Sequence, residues 1–193
     1  MLRALYDWTM RLAASRGATP ALATISFIES SVFPIPPDAL LVPMVIAERR
    51  KAWWYAFVCT VASVAGGLAG YAIGALLFEL VGRPVLAFYG YLDRFDTFAD
   101  TYNAWGAWAV LIAGITPFPF KVITIASGAT QLSLIVFIVA SIVARGIRFF
   151  AVAGMLYLFG PPIRRFIEER LGLVFTLGLV LLIGGFVVAR YAL

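Results

Sequence analysis

Phe33-Pro-Ile-Pro-Pro-Asp38 and Thr116-Pro-Phe-Pro-Phe-Lys121 decide the architecture of this chain. Each sits inside a long apolar stretch, residues 17–47 and 101–132, that would otherwise read as a helix. A proline inside a helix removes a hydrogen bond and clashes with the preceding turn, so neither stretch can be one regular helix. Pro117 follows Pro34, and Pro119 follows Pro36, at a spacing of 83 residues, and the same step sets Lys121 on Asp38. It also lays the apolar span beginning at Ala52 over the one beginning near Ile135. The spacing predicts an internal repeat.

Composition says where this repeat resides. The 193 residues are 63% hydrophobic and 13% charged, with a mean hydropathy of +0.97. Soluble domains are about 25% charged, and a domain of this size cannot bury so much apolar surface. The reading is an integral membrane protein. Ala52 to Phe78 and Leu171 to Ala189 carry no charge, and each is long enough to cross about 30 Å of hydrocarbon. Leu134 to Leu158 is a third span, interrupted by Arg145 and Arg148. Barrels need many alternating strands, so the spans are helices.

Broken backbone at membrane depth is tolerated only where it is buried in protein or lines a cavity. The two proline stretches are therefore expected to be re-entrant hairpins, with tips at Pro34, Pro36, Pro117 and Pro119 meeting near the midplane. One crossing between them would give the repeats inverted topology. The predicted fold is an all-α polytopic membrane protein in five parts. Residues 1–16 form an interfacial amphipathic helix, with Leu5, Trp8 and Leu12 opposite Arg3, Asp7 and Arg11. Repeat one is 17–82, comprising hairpin 17–47 and transmembrane helix 52–78. A polar connector, 83–100, leads to repeat two, 101–160, with hairpin 101–132 and transmembrane helix 134–158. Residues 161–193 hold an amphipathic connector and a C-terminal transmembrane helix. Arg3, Arg11, Arg16, Arg49, Arg50, Lys51, Arg164, Arg165 and Arg170 outnumber Arg83, Arg94 and Arg190, which puts the N-terminus inside and the C-terminus outside.

The same composition excludes much chemistry. The net charge of +5 belongs to cytoplasmic loops rather than to a nucleic-acid surface. There is no histidine, which removes Ser-His and Cys-His catalysis and histidine metal sites. Cys59 is alone, so no disulfide or Cys-rich metal centre can form. No nucleophile–base pair is visible, and the expectation is a non-enzyme without cofactor or metal.

Five ionisable residues remain at membrane depth: Glu29, Asp38, Lys121, Arg145 and Arg148. Unpaired, each costs roughly 3 kcal/mol at the bilayer centre, on the order of 15 kcal/mol together. They must be paired, neutralised or hydrated. Two acids against three bases leave one positive charge for an anionic ligand. Other readings stay open at this point: Asp38, after Pro36-Pro37, also suits a helix N-terminus, and long basic side chains can snorkel. Arg145 and Arg148, at i and i+3, share one helix face with Ser141. Gly66, Gly70 and Gly74 make a small-residue stripe that lets a backbone approach, either within the subunit or across a homodimer seam. Trp53 and Trp54, beside Arg49-Arg50-Lys51, read as interfacial anchors, as do Trp105 and Trp108.

Phe27-Ile-Glu29 with Pro34-Ile-Pro36-Pro37-Asp38 resembles the first re-entrant motif of the DedA family, whose relatives carry the VTT or SNARE-associated Golgi domain. Gly66-Gly67-Leu-Ala-Gly70-Tyr71-Ala-Ile-Gly74 resembles that family's glycine-rich span, and Thr116-Pro-Phe-Pro-Phe-Lys121 through Gly128 its second hairpin. The resemblance covers roughly residues 18–160 and implies translocation of a phosphate-bearing lipid, undecaprenyl phosphate or a phospholipid, driven by proton-motive force. It implies essential acids at Glu29 and Asp38, and a bacterial inner-membrane location. The family's second motif carries two arginines flanking a proline; here Lys121 stands at the second, while Ile115 or Thr116 occupies the first. The expected partners are therefore membrane lipids and protons, with a homodimer as a further possibility. Two rivals are a proton-coupled exporter of small cationic solutes and a non-transporting membrane scaffold or assembly factor.

Overall fold

The computed structural model describes residues 17–32, 36–116 and 118–169. The expected interfacial helix 1–16, the C-terminal transmembrane helix, Pro34 and Pro117 lie outside the described residues. Within them the protein is helical, with no strand. The helices are α1 (Ala18–Ser31), α2 (Asp38–Ala47), α3 (Ala52–Leu77), α4 (Arg83–Phe88), α5 (Leu92–Ile115), α6 (Phe120–Ala129) and α7 (Leu134–Glu169). A 3-10 turn at Arg49–Lys51 precedes α3, and a wider π turn at Phe78–Gly82 joins it to α4.

One element order occurs twice: helix, break, ten-residue helix, long helix. The short helices begin at Asp38 and Phe120 and the long ones at Ala52 and Leu134, an offset of 82 in both cases. The first break falls after Ser31, ahead of Pro36-Pro37, and the second at Thr116 to Pro119. Both are where proline forbids continuation. Among the described residues two helices are long and apolar enough to cross a membrane, Arg49–Phe88 and Leu134–Gly160.

Contacts give the directions. Trp53 stacks on Phe150 and Tyr157, Arg145 reaches Ser63, and Tyr71 packs on Phe137, so α3 and α7 run antiparallel. Ala18 and Leu22 share a buried cluster with Ala52, Tyr55 and Cys59, whereas Phe27 and Ser30 lie against Gly66 and Ser63. Helix α1 thus runs parallel to α3. Helix α2 returns beside α7, with Asp38 at Arg148 and Met44 and Val45 among Phe149, Ala153 and Leu156. In the second unit α5 follows α7, with Gly106 at Leu132 and Gly114 at Ala144. Helix α6 follows α3, with Thr124 at Gly70 and Ile125 at Gly74. Each short helix therefore packs on the long helix of the other unit, and the core lies between α3 and α7.

Residues 83–100, the polar connector, are helical: the end of one helix and the start of another, turned at Gly90 with φ +70°. Their acids recur at helical spacing, Asp93, Asp96 and Asp100, while Phe95, Phe98 and Tyr102 form an aromatic ladder on another face that begins at Phe78. Polarity masked this amphipathic period. The second broken segment therefore starts at Leu92 rather than 101. Helix α7 also overruns its expected end, continuing through Pro161 and Pro162 to Glu169.

Candidate functional site

The site is built where the two breaks meet. Arg145, on α7, is fully buried. Its Nε donates to Ser63 Oγ on α3 at 2.6 Å, and its Nη2 to Glu29 Oε2 on α1 at 2.7 Å. The Phe120 and Phe149 rings lie 4.8 and 4.7 Å from the guanidinium, stabilising a desolvated cation through their π faces. Ser30 Oγ donates to the same Glu29 oxygen at 3.0 Å and lies 2.6 Å from Ser63 Oγ. A serine hydroxyl has one proton. Since that of Ser30 goes to Glu29, Ser63 must donate to Ser30. The result is a closed circuit: Arg145 to Ser63, Ser63 to Ser30, and both Ser30 and Arg145 to Glu29.

The second pair is simpler. Arg148 Nη2 donates to Asp38 Oδ2 at 2.5 Å. Asp38 is the first residue of α2, yet its side chain makes no capping bond, so the pairing is with Arg148 and not with the helix end. Asp38 Oδ1 is buried with no partner among the described residues, as are Arg145 Nη1, Ser26 Oγ and Ser141 Oγ. Neither arginine snorkels away; both are held by an acid from the first broken segment.

Lys121 stands apart from these pairs. Its Nζ lies 3.4 Å from the carbonyl of Val32, the C-cap of α1, a favourable place for a cation at a helix end. One turn on, Thr124 Oγ1 contacts the Ser30 carbonyl at 3.1 Å. Start of α6 and end of α1 are thereby tied together. Thr124→Val is expected to cost about 1–3 kcal/mol, because the one hydroxyl proton shared between the Ser30 carbonyl and the Lys121 carbonyl at 2.9 Å is lost, whereas Lys121→Met should cost at most about 1 kcal/mol. Unfolding of the two purified variants in one detergent compares them.

The glycine stripe is the floor of this arrangement. A Cβ at Gly66 would run into the carbonyl of Phe27, at Gly70 into Thr124 Oγ1, and at Gly74 into the carbonyl of Ile125. One face of α3 thus carries α1 and α6 at backbone contact. Covered within the chain, the stripe is not available as a dimer seam. Gly128 of α6 meets the Tyr71 carbonyl in the same way.

Sequence reasoning missed Ser30, Ser63, Phe120, Phe149 and Thr124. A signal existed for Ser63, which lies three residues before Gly66 on the stripe face. The aromatic pair gave none, because Phe120 and Phe149 meet only in the fold. Trp105 and Trp108 are exposed, as are Trp53 and Trp54. Among the described residues no three of Cys, Asp and Glu gather as a metal site. A cleft of about 240 Å³ lies near the π turn, between Glu79, Arg83, Asp96 and Gln131, remote from the two ion pairs.

Apolar spanning helices enclosing paired acids and arginines define an α-helical membrane protein with a charged centre. The chain belongs to the VTT domain family, also called DedA, whose family model matches residues 35–158. An uncharacterized protein of Haemophilus influenzae (strain ATCC 51907 / DSM 11121 / KW20 / Rd) is 37% identical over 149 residues, 77% of each chain. An uncharacterized homologue from Histophilus somni is 38% identical over 148 residues, again 77% of each. No solved structure matches.

Proposed function

We propose that the protein translocates a phosphate-bearing lipid between the leaflets of the bacterial inner membrane, coupled to proton movement. The observation that carries this is the pairing of two carboxylates with two arginines at the meeting of the breaks. In the unloaded centre the acids stand where anionic oxygens of a ligand would bind. Arginine's planar fork suits a carboxylate and a phosphate equally, so one can replace the other. Protonation of an acid releases an arginine, which then takes the lipid phosphate, with Lys121 as a further cation near the path.

In this reading 17–47 and the segment ending at Ala129 are re-entrant hairpins, entering from opposite sides and related as an inverted repeat. What supports it is the chain reversal at each break and the antiparallel course of α3 and α7. A cationic-solute exporter fits less well, because both candidate carboxylates are already committed to arginines. A scaffold would have no use for the centre's charge.

The test is translocation of a phosphate-bearing lipid by purified protein in liposomes under an imposed pH gradient. Asp38→Asn is expected to insert and accumulate normally while its translocation rate falls to that of empty liposomes. Wild-type rates at matched protein levels would refute the reading and favour the scaffold.

A further inference from the structure

The two ion pairs differ in exposure and in how many bonds hold the acid. Glu29 is held by a circuit in which one of its oxygens accepts two bonds. Both serine protons are committed, and Glu29 Oε2 must accept from Ser30 and from Arg145. The Arg145 side chain is 0% exposed and enclosed by two rings, with Ser63 fixing its Nε. Protonating Glu29 would strand that cation without a counter-charge, among the costliest states available to a buried group.

Asp38 has none of these restraints. It makes one bond, to Arg148, and the two side chains are 28% and 19% exposed. Its Oδ1 is buried and has no partner among the described residues, so a proton there would meet no competing donor. It follows Pro36-Pro37 directly, at the mouth of the break. Arg148 and Arg145 from α7 and Cys59 from α3 lie within electrostatic reach of it. Only Arg148 hydrogen-bonds it.

We infer that Asp38 is the proton-exchanging residue and Arg148 the anion-binding residue of this centre, while Glu29, Arg145, Ser30 and Ser63 are positioning residues that stay ionised or paired throughout. The inference rests on the lipid-transport reading only for the source of the anion. A proton adds to Asp38 Oδ1, the attraction of Arg148 Nη2 for Oδ2 is lost, and Arg148 takes one anionic oxygen of a phosphate. One proton and one negative charge enter together, so the centre remains neutral. Release of the phosphate oxygen and deprotonation of Asp38 reverse the step.

Dicyclohexylcarbodiimide, which adds to protonated carboxyl groups in apolar surroundings, reads this directly. The full chain in phosphatidylcholine vesicles is treated across a pH series, and the adduct is located by mass spectrometry. Asp38 should be modified in preference to Glu29, and its modification should rise as pH falls. Equal modification of both acids, or adducts mainly on Glu29, would overturn the inference. Ser63→Ala breaks the circuit and should make Glu29 reactive, whereas Ser63→Thr keeps the hydroxyl and should not. Glu29 remaining unreactive in Ser63→Ala would overturn the positioning role. Phosphatidic acid in the vesicles should raise Asp38 modification by displacing it from Arg148. A rise with inorganic phosphate but not with phosphatidic acid would reject the lipid source and leave the division between the two pairs standing.

Discussion

Arg145→Met is expected to abolish the folded protein rather than merely slow it. The change leaves the half-buried Glu29 with no cation and frees Ser63 from its donor. Removing one partner of a buried pair costs about 3–5 kcal/mol, a large part of a net stability of about 5–15 kcal/mol. The Phe120 and Phe149 rings also lose the cation between them. Combining Arg145→Met with Glu29→Gln should recover most of that loss, since the stranded charge disappears. Chemical unfolding of the single and double variants in one detergent gives the coupling. Additive losses would mean that the pair contributes nothing jointly, and the centre would have to be redrawn around Arg148.

The second large effect concerns the stripe on α3. Gly74→Ala places a methyl group in the carbonyl of Ile125, backbone against backbone, where no side chain can swing aside. Overpacking of this kind costs about 1–3 kcal/mol, more where neither helix can yield, and Gly128 of α6 already meets the Tyr71 carbonyl at backbone contact across the same seam. Accumulation of the variant in membranes should fall sharply. Gly146→Ala is the contrast: its Cβ would meet only Thr60 Cγ2, at 4.0 Å. The gain in helix propensity, up to about 1 kcal/mol, should leave it at or above wild-type stability. Equal accumulation of both variants would show that α3 and α6 have room to separate.

These residues mark what a sequence can carry. The breaks at Pro36 and Pro119 and the stripe at Gly66, Gly70 and Gly74 were legible because proline geometry and small-residue spacing are local. The five charges stood out for the same reason: apolar surroundings make each one conspicuous. Which acid meets which arginine was not legible. Glu29 and Arg145 are 116 residues apart, and Asp38 and Arg148 are 110 apart, with nothing local to choose between the two possible matchings. The serines were invisible for another reason. Ser30 and Ser63 are common in transmembrane helices, and only the one-proton limit of a hydroxyl reveals their place in the circuit. The helical period in residues 83–100 was not legible, because their charges lie over it.

The crossing of short helices onto the opposite unit has a consequence for synthesis. Helix α2 packs on α3 from the start but lacks Phe149, Ala153 and Leu156 until α7 exists, and the upper stripe of α3 lacks its cover until α6 exists. The first half of the chain therefore leaves the ribosome with Glu29 and Asp38 still lacking their arginines, some 110 residues downstream. At about 5–20 residues per second, that interval is on the order of ten seconds. During it the first broken segment has two acids to neutralise and an incomplete floor, so it is poorly bound to the membrane interior. Final entry of that segment is an event of the second half's arrival, and truncation before Arg148 should leave the first half an easy target for quality-control proteolysis.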